Sequence, residues 1–279
     1  MRLGLGYVLG VRADEVTALV AARDSDGPFR SLDDLAARAG AGRPALEQLA
    51  WSGACDALAA APARRTALWQ LGIAAPPQRV DSGTQLALPL DLPAAPELKP
   101  LDPWAVMLAD YATTTVSTNA HPLGLLRGEL QARRVVSSVD LERLGHGTRV
   151  RIGGLVVARQ RPGTASGVVF VLLEDEAGTI NLIIPPPVYE RDRLAVRTEP
   201  LILAEGKLER FASGGGAINV LVDRITALGS PGREDAPVHT LTPARPEEPA
   251  EDGALAPTGT DDFRAVAPAV MSFAQGRRR

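Results

Sequence analysis

The sequence predicts an α+β, multidomain chain. A helical N-terminal region and a helical connector precede a small five-stranded β-barrel and a disordered C-terminal tail. Apolar residues recur at helical spacing in the first half of the chain and alternate at strand spacing in the second. Proline-rich segments with neither period interrupt and end these patterns. The predicted segments are residues 1–71, 72–102, 103–146, 147–229 and 230–279.

Composition excludes several classes of protein. The single cysteine, Cys55, rules out an internal disulfide framework and suits a reducing compartment. No apolar run approaches the roughly 18 residues of a membrane-spanning helix, and the N-terminus does not have the pattern of a signal peptide. We therefore expect a cytoplasmic protein without a membrane partner.

The net charge of −3 at pH 7 does not by itself indicate nucleic-acid binding. Its distribution is more informative, because residues 147–229 are the only segment with a net positive charge. Almost all the basic residues are arginines, and the lysines are Lys99 and Lys207. Arginine suits bidentate contacts with phosphate, although a GC-rich coding sequence would also enrich it.

The N-terminal region is predicted to be several short helices joined by glycine-bearing turns. In residues 14–23, three aliphatic side chains share one face, and two acids lie in the first turn, where the helix dipole favours them. Ser31 is a suitable N-cap for a second helix over residues 32–39. Pro44 suits the first turn of a third helix.

The stretch Leu9-Gly10-Val11 before the first of these helices is typical of a helix-hairpin-helix. In such a hairpin, backbone N–H groups at a helix N-terminus bind a DNA phosphate. Gly10, Val11 and Arg12 are therefore candidate DNA contacts, although Arg12 stands where the motif usually has a second glycine. A plain helical turn is the alternative interpretation.

Residues 72–102 form a predicted linker, because prolines crowd a segment without periodicity. Within it, a glutamine followed by alternating leucines resembles the short peptides by which bacterial polymerases dock on the sliding clamp. Three leucines would fill an apolar groove while the glutamine amide fixes the register. The alternative is that the leucines pack on a neighbouring domain. The candidate clamp-binding residues are Gln85, Leu86, Leu88 and Leu90.

Residues 103–146 are predicted to be helical, with an apolar face formed by Trp104, Met107, Leu108 and Tyr111. The three histidines of the chain are far apart and lack cysteine neighbours, so no zinc site is expected. We accordingly expect no metal or cofactor in this chain.

Residues 147–229 have the element order of an OB-fold barrel, which is three strands, a helix and two further strands. Gly153 and Gly154 inside the first strand predict a bulge or a bend. The predicted elements are strands over residues 149–160, 168–174, 179–184, 201–211 and 217–228, and a helix over residues 186–197.

An OB barrel holds single-stranded nucleic acid on the face of its second and third strands and on the loops after its first and fourth. In this chain those loops supply guanidinium groups, hydroxyls and backbone N–H groups suited to phosphate. Phe170 and Phe211 are candidates for stacking on bases or for the core, since alternation leaves their faces open. We expect weak, sequence-independent binding that falls steeply with salt. The candidate cations are Arg149, Arg151, Arg159, Arg161, Lys207 and Arg210.

The acidic run Glu174-Asp175-Glu176 admits two interpretations, the carboxylates of a two-metal site or the solvated turn of a hairpin. A two-metal site needs carboxylates that converge from separate strands or loops, and no other acid is placed to join these three. An acid- and glycine-rich turn suits a hairpin tip. We therefore expect the run to face water.

The last segment, residues 230–279, is rich in proline, acids, alanine and threonine. It has too little apolar surface to offset the entropy of ordering, so we expect a disordered tail. Phe263 and Phe273 are candidate docking points, but the sequence specifies no partner.

Five stretches together resemble the C-terminal part of the bacterial C-family DNA polymerases. The resemblance is strongest to their error-prone branch, the damage-tolerance paralogue of the polymerase III alpha subunit. It implies a tandem helix-hairpin-helix region on duplex DNA and an OB domain near the single-stranded template, in a damage-induced, translesion polymerase. The stretches are LGLGYVLGV, GPFRSLDDLAAR, LEQLAWSGACDAL, HPLGLLR and GGLVVARQRPGTASGVVFVLLEDEAGTINLII. The resemblance as a whole runs from about Leu3 to Leu228.

The resemblance also implies partners and a missing catalytic part. The family synthesises DNA with metal ions held by palm aspartates. Mg²⁺ is thus expected only for a polymerase domain that this chain lacks, and no catalytic residue is assigned here. The expected partners are single-stranded and primer-template DNA, the sliding clamp and other proteins of the mutagenesis complex. Two alternative functions stay open, a protein-interaction module and part of an active polymerase whose catalytic part is encoded upstream. The sequence also leaves open whether the chain is a fragment, a split-gene product or a free-standing protein.

Three features depart from the family pattern. Arg12 occupies the hairpin glycine position, and the tail is long and acidic. Pro185, Pro186 and Pro187 follow the third strand where the family tends to have an aromatic residue, which weakens any expectation of base stacking at that place.

Overall fold

A computed structural model describes residues 3–60, 63–74, 96–210, 218–229 and 262–272. The chain divides into two compact units, Met1–Asn119 and Ala120–Arg279. None of the described helices is long and apolar enough to cross a membrane. Some predicted positions lie outside the described residues, namely the clamp peptide with Gln85, Leu86, Leu88 and Leu90, and the aromatic residues Phe211 and Phe273.

The first unit is helical, as predicted. Two of its helices begin at residues whose side chains satisfy a backbone donor. Ser31 Oγ accepts the N–H of Asp34 at 3.1 Å, and Asp102 Oδ1 accepts the N–H of Ala105 at 2.8 Å. The helices are α1 (Ala13–Asp26), α2 (Leu32–Arg38), α3 (Arg43–Trp51), α4 (Ala63–Ala74) and α5 (Pro103–Thr114), with 3₁₀ turns at Leu5–Tyr7 and Asp56–Leu58.

A buried ion pair ties α4 to α5. Arg64 Nη2 donates to Asp110 Oδ1 at 2.7 Å, and Arg64 Nη1 donates to the carbonyl oxygen of Val106 at 3.2 Å. Ser117 Oγ donates to the other carboxylate oxygen of Asp110 at 2.8 Å. Because both charged groups are almost fully buried, losing Asp110 would leave Arg64 with only the more distant and more exposed carboxylate of Asp56, at 3.7 Å.

The second unit contains a five-stranded OB barrel, with two helices before it and two between its third and fourth strands. The strands follow the predicted order, so the predicted fold class is confirmed. Core and outward positions alternate along the second strand, where Val169, Val171 and Leu173 face the core. The elements are α6 (Pro122–Ala132), α7 (Ser138–Arg143), β1 (Arg149–Gln160), β2 (Val169–Glu174), β3 (Thr179–Ile184), α8 (Pro186–Arg191), α9 (Arg193–Thr198), β4 (Leu201–Arg210) and β5 (Ile218–Ala227).

The long strand β1 closes the barrel because it pairs with two neighbours. Residues 149–155 pair antiparallel with β4, and residues 155–160 pair antiparallel with β2. The change of partner follows the predicted Gly153-Gly154, where a Cβ on Gly154 would lie only 2.7 Å from the Cβ of Leu173. β3 pairs in parallel with β5, and β5 pairs antiparallel with β4. The sheet therefore runs β1-β2-β3-β5-β4 and returns to β1.

The boundary between the two units falls inside the predicted connector, residues 103–146. The helix α5 belongs to the first unit, whereas α6 and α7 belong to the second. Val136, just before α7, forms an isolated parallel bridge to Ile152 of β1. The later part of the connector is therefore built into the barrel unit.

The acidic run lies at the turn between β2 and β3, as predicted, and Glu174 and Glu176 are exposed, but the expectation that it faces water is wrong for Asp175. Asp175 is 3% exposed, and its carboxylate accepts the N–H and the hydroxyl of Ser138 at 2.6 and 2.7 Å. Arg127 Nε pairs with Glu176 Oε1 at 2.5 Å. The run anchors α6 and α7 to the barrel. Among the described residues, no group of three or more His, Cys, Asp or Glu side chains is arranged to hold a metal ion.

Part of the predicted disordered tail is folded. Phe263–Ala265 form a 3₁₀ turn, and Met271–Ser272 form a short strand, β6, that pairs in parallel with β1. Phe263 is 1% exposed. The expectation of disorder is therefore wrong for residues 262–272. It rested on the composition of the whole tail, which does not reveal that one aromatic side chain is buried and one short strand pairs with an open edge.

Candidate nucleic-acid interface

One row of side chains crosses the outer face of all five barrel strands. Each member is the direct cross-strand neighbour of the next, and their neighbours along each strand face the core. Since adjacent strands lie about 4.8 Å apart, the row spans about 14 Å from β2 to β4. We call this row the outer belt. It consists of Phe170 (β2), Ile183 (β3), Leu221 (β5), Lys207 (β4) and Arg149 (β1).

The first half of the outer belt is apolar. Phe170 is 37% exposed, so its ring lies outside the barrel. The sequence pattern had left open whether this ring faces the core or the outer surface. Ile183 and Leu221 are half-buried beside it. An exposed ring next to flat aliphatic surface is suited to stacking with nucleic-acid bases.

The second half of the outer belt is positively charged. Lys207 is exposed, and none of the ion pairs among the described residues involves it. Arg149 Nη2 pairs with Asp223 Oδ2 at 2.7 Å, but the two side chains are 75% and 44% exposed. A pair this exposed contributes little free energy, so a phosphate could replace Asp223 at small cost.

A polar row lies next to the outer belt. Asn181 of β3 is opposite Asn219 of β5, and Asn219 is opposite Glu209 of β4. Asn181 is exposed and Asn219 is half-buried. Their amide groups both donate and accept hydrogen bonds, which suits contacts with base edges or sugars.

Arg159 does not lie on this outer face. A β-bulge between Val156 and Ala158 shifts the register of β1 against β2. Beyond the bulge, Arg159 is opposite the core residue Val171. Its half-buried side chain donates from Nη2 to the carbonyl oxygen of Glu199 at 2.6 Å, and burial lowers the pKa of this guanidinium below its ordinary value. A DNA contact by Arg159 stays a prediction, and this placement disfavours it.

Arg161 lies in the loop after β1 and is exposed. Its guanidinium carbon is 4.8 Å from the centroid of the Tyr189 ring. Such stacking holds the guanidinium plane in place and leaves the N–H groups at its edge accessible. Unlike Arg159, Arg161 is therefore well placed to bind a phosphate.

Arg151 and Arg210 are engaged within the barrel unit. Arg151 Nη2 pairs with Glu205 Oε1 at 2.7 Å. Arg210 donates to three carbonyl groups in and just after α7, including those of Leu141 at 2.9 Å and Leu144 at 3.0 Å. A cation at this position satisfies the terminal carbonyls and complements the helix dipole. A contact with DNA by either arginine stays a prediction.

The N-terminal hairpin has a glycine in the left-handed region, and acidic side chains occupy the N-terminus of the helix that follows it. Gly10 has φ +80°, which is a region that favours glycine. Arg12 is the N-cap of α1; its N–H donates to Glu15 Oε2 at 3.0 Å, and its guanidinium pairs with Asp14 at 2.9 Å. These two acids compete with a phosphate at the helix N-terminus. A DNA contact by Gly10, Val11 and Arg12 stays a prediction.

The second hairpin that a tandem region implies lies at residues 39–42 between α2 and α3, and its residues were not among the predicted DNA contacts. Gly40 has φ +60°, and the N–H of Gly42 donates to Glu15 Oε1 at 3.2 Å. Glu15 is buried, and its two oxygens thus join both hairpins. The sequence signal for this hairpin is Gly40 and Gly42, which stand two residues apart between two short helices.

The roles of Ile183, Leu221, Asn181 and Asn219 were also missed by sequence reasoning. Alternation already predicts the face of each of these residues within its own strand. It does not predict which residues of neighbouring strands lie side by side, because that depends on register.

Comparison with known proteins agrees with both units. Residues 1–67 match the family model described as a helix-hairpin-helix motif, and residues 150–228 match the one described as an OB-fold nucleic acid binding domain. Three curated relatives, each described as an error-prone DNA polymerase, come from Rhodopirellula baltica, Anaeromyxobacter sp. strain K and Mycobacterium tuberculosis strain H37Rv. They are 40%, 41% and 38% identical to this chain over 82% of its length.

The alignments cover 19%, 19% and 20% of these relatives. The chain therefore spans about a fifth of the length of the curated relatives that it matches, in their C-terminal region. The resemblance inferred from the sequence motifs is confirmed.

Proposed function

We propose that this chain is the DNA-binding C-terminal portion of an error-prone polymerase that acts in the cytoplasm during damage-induced translesion synthesis. The observation that carries the proposal is the outer belt, where a ring, two aliphatic side chains and two cations cross the face on which OB domains hold single strands. The similarity to error-prone DNA polymerases supports DNA as the ligand.

In this proposal the two halves of the outer belt bind different parts of the DNA strand. A base stacks on Phe170 and extends over Ile183 and Leu221, a contact that contributes about 1–3 kcal/mol per base. A neighbouring phosphate binds Lys207 and Arg149. Because every nucleotide has a flat base face and a phosphate, binding of this kind is independent of sequence.

The helical unit provides a second contact with DNA. The hairpins at residues 10–12 and 39–42 present helix N-termini to the duplex part of the primer-template, and the peptide of residues 85–90 docks on the sliding clamp. DNA synthesis and its Mg²⁺ ions belong to the polymerase domain of the family, and this chain holds the template without catalytic residues of its own.

The test is a titration of a fluorescent single-stranded oligothymidine, followed by anisotropy at several salt concentrations. The Lys207→Gln/Arg149→Gln double variant is expected to bind more weakly. It should also flatten the slope of log K against log salt by about 1.4, because each neutralised single-strand phosphate contributes about 0.7. Phe170→Ala should lower the affinity by roughly 5- to 150-fold, which corresponds to about 1–3 kcal/mol.

The Arg193→Gln/Arg197→Gln double variant is the matched control. It removes the same charge from exposed positions of α9 that lie outside the outer belt. Equal salt slopes for the two double variants would show that the outer belt does not hold the phosphates.

A second candidate function is a docking surface for another protein of the mutagenesis complex. The internal engagement of Arg151, Arg159 and Arg210 favours it, because fewer cations remain for phosphate than the sequence predicted. Failure of the wild-type chain to bind any oligonucleotide at low salt would favour this candidate over DNA binding.

A further inference from the structure

We propose that the free edge of β1 is a docking site for a short extended peptide with an aromatic anchor, and that residues 262–272 of the same chain occupy it. We call these residues the docking segment. The site uses none of the residues of the outer belt and therefore goes beyond the proposed function.

The edge exists because β1 changes partners along its length. Its first half pairs with β4, which begins at Leu201 opposite Leu155. From Ala158 onward, the side of β1 that faced β4 therefore has no neighbour within the five-stranded barrel. Unpaired N–H and C=O groups on such an edge are ready to pair with another extended chain. β6 pairs there, with Met271 opposite Ala158 and Ser272 opposite Arg159.

The docking segment is anchored by an aromatic side chain. Phe263 is among the largest fully buried side chains of the described part of the chain. A carboxylate oxygen of Asp262 accepts the N–H of Arg264 at 3.0 Å and fixes the 3₁₀ turn that positions the ring. Val270, just before β6, packs against the barrel core. The segment therefore buries apolar side chains at both of its ends.

A charged contact adds specificity. Arg264 Nε donates to Glu199 Oε2 at 2.6 Å, and the Glu199 side chain is only 12% exposed. The carbonyl oxygen of the same Glu199 accepts a hydrogen bond from Arg159 Nη2, at the base of the loop after β1. Glu199 thus joins the docking segment to the end of β1.

Chain connectivity does not impose this arrangement. The docking segment is joined to β5 through residues 230–261, which lie outside the described residues. A connection of this length favours no particular edge, because the cost of closing a loop rises only slowly with its length. The complementary chemistry of the ring, the guanidinium and the short strand selects the site. The ligand class is therefore a peptide with Asp-Phe-Arg followed a few residues later by an extended pair.

The test uses the full chain and a labelled peptide of residues 260–273. In the Phe263→Ala chain the site has lost its anchor, so the peptide should bind this chain at least tenfold more tightly than it binds the wild-type chain, whose site is filled. A Phe263→Ala peptide should bind neither chain. Met271→Ala is the control chain, since this side chain is 55% exposed, and it should exclude the peptide as the wild type does.

A second measurement covers the case in which Phe263→Ala does not fold. A specific protease site is introduced at residue 245 of the otherwise wild-type chain, and after cleavage the C-terminal piece should co-elute with the barrel in gel filtration. Elution of that piece alone, or equal peptide binding by the wild-type and Phe263→Ala chains, would overturn the proposal. An uncut chain that elutes as a dimer and loses this state with Phe263→Ala would overturn docking within one chain and assign the site to a second copy.

Discussion

Replacing Asp175 with alanine removes the group that joins α7 to the turn between β2 and β3. The Asp175 carboxylate accepts two hydrogen bonds from Ser138 and one each from the N–H groups of Ala177 and Gly178. Burial alone would raise the pKa of Asp175, but these hydrogen bonds outweigh it and hold the pKa below its ordinary value. The buried carboxylate is therefore charged in the folded protein.

The size of the effect follows from these contacts. A hydrogen bond to a charged group contributes about 1.5–3 kcal/mol, but contributions within one network do not add. Removing one member of a buried charged network costs about 3–5 kcal/mol, and we expect this loss for Asp175→Ala. Asp175→Asn keeps one acceptor oxygen and should cost about half as much. Glu174→Ala is the control; its side chain is exposed, and a change within about 0.5 kcal/mol is expected.

Amide hydrogen exchange in β2 and β3 measures this effect. The fluorescence of Trp51, Trp69 and Trp104 reports on the helical unit and should stay unchanged. Because the folded pKa of Asp175 is lowered, its contribution is complete above the unfolded pKa of about 3.9 and is lost as the pH falls through the folded value. An equal loss of barrel stability in Asp175→Ala and Glu174→Ala would refute the reasoning.

Three further outcomes are expected. Gly206→Ala should destabilise the barrel by about 1–3 kcal/mol in thermal unfolding, because its Cβ would overlap the backbone oxygen of Leu221 in β5, whereas Gly163→Ala, in open space, should be neutral. Asp110→Ala should lower the free energy of unfolding of the helical unit by about 3–5 kcal/mol, because it removes the main partner of the buried Arg64 guanidinium; urea unfolding followed by tryptophan fluorescence measures this. Burial lowers the pKa of His121, so stability should be full above pH about 6.5 and fall below it as the unfolded chain takes up the proton first. His121→Asn should reduce the drop in melting temperature between pH 7.5 and 5.5, and an identical drop would contradict this.

The barrel could be predicted from the sequence because its signals are local. Alternation along each strand, the Gly153-Gly154 bend and the turns between strands gave the strand order, and the predicted bounds of β1 and β3 match the structure. Face and element type depend on neighbours a few residues apart, which a linear pattern contains.

The candidate site was harder to predict because it depends on distant pairs. One residue inserted at the bulge reverses the side of Arg159, and alternation cannot anticipate such an insertion. Arg210 donates to carbonyl groups that lie far from it in the sequence, and the serine that donates to Asp175 is also distant in the sequence. For Phe263, composition predicted disorder because it averages over the tail, whereas docking depends on a single ring and one open edge.

The five residues of the outer belt come from five different strands, with one from each. No short peptide cut from this chain could reproduce the row, and it ceases to exist once the barrel opens. A ligand that spans the row contacts all five strands at once. Its binding would therefore raise the melting temperature of the barrel unit by mass action and leave that of the helical unit unchanged.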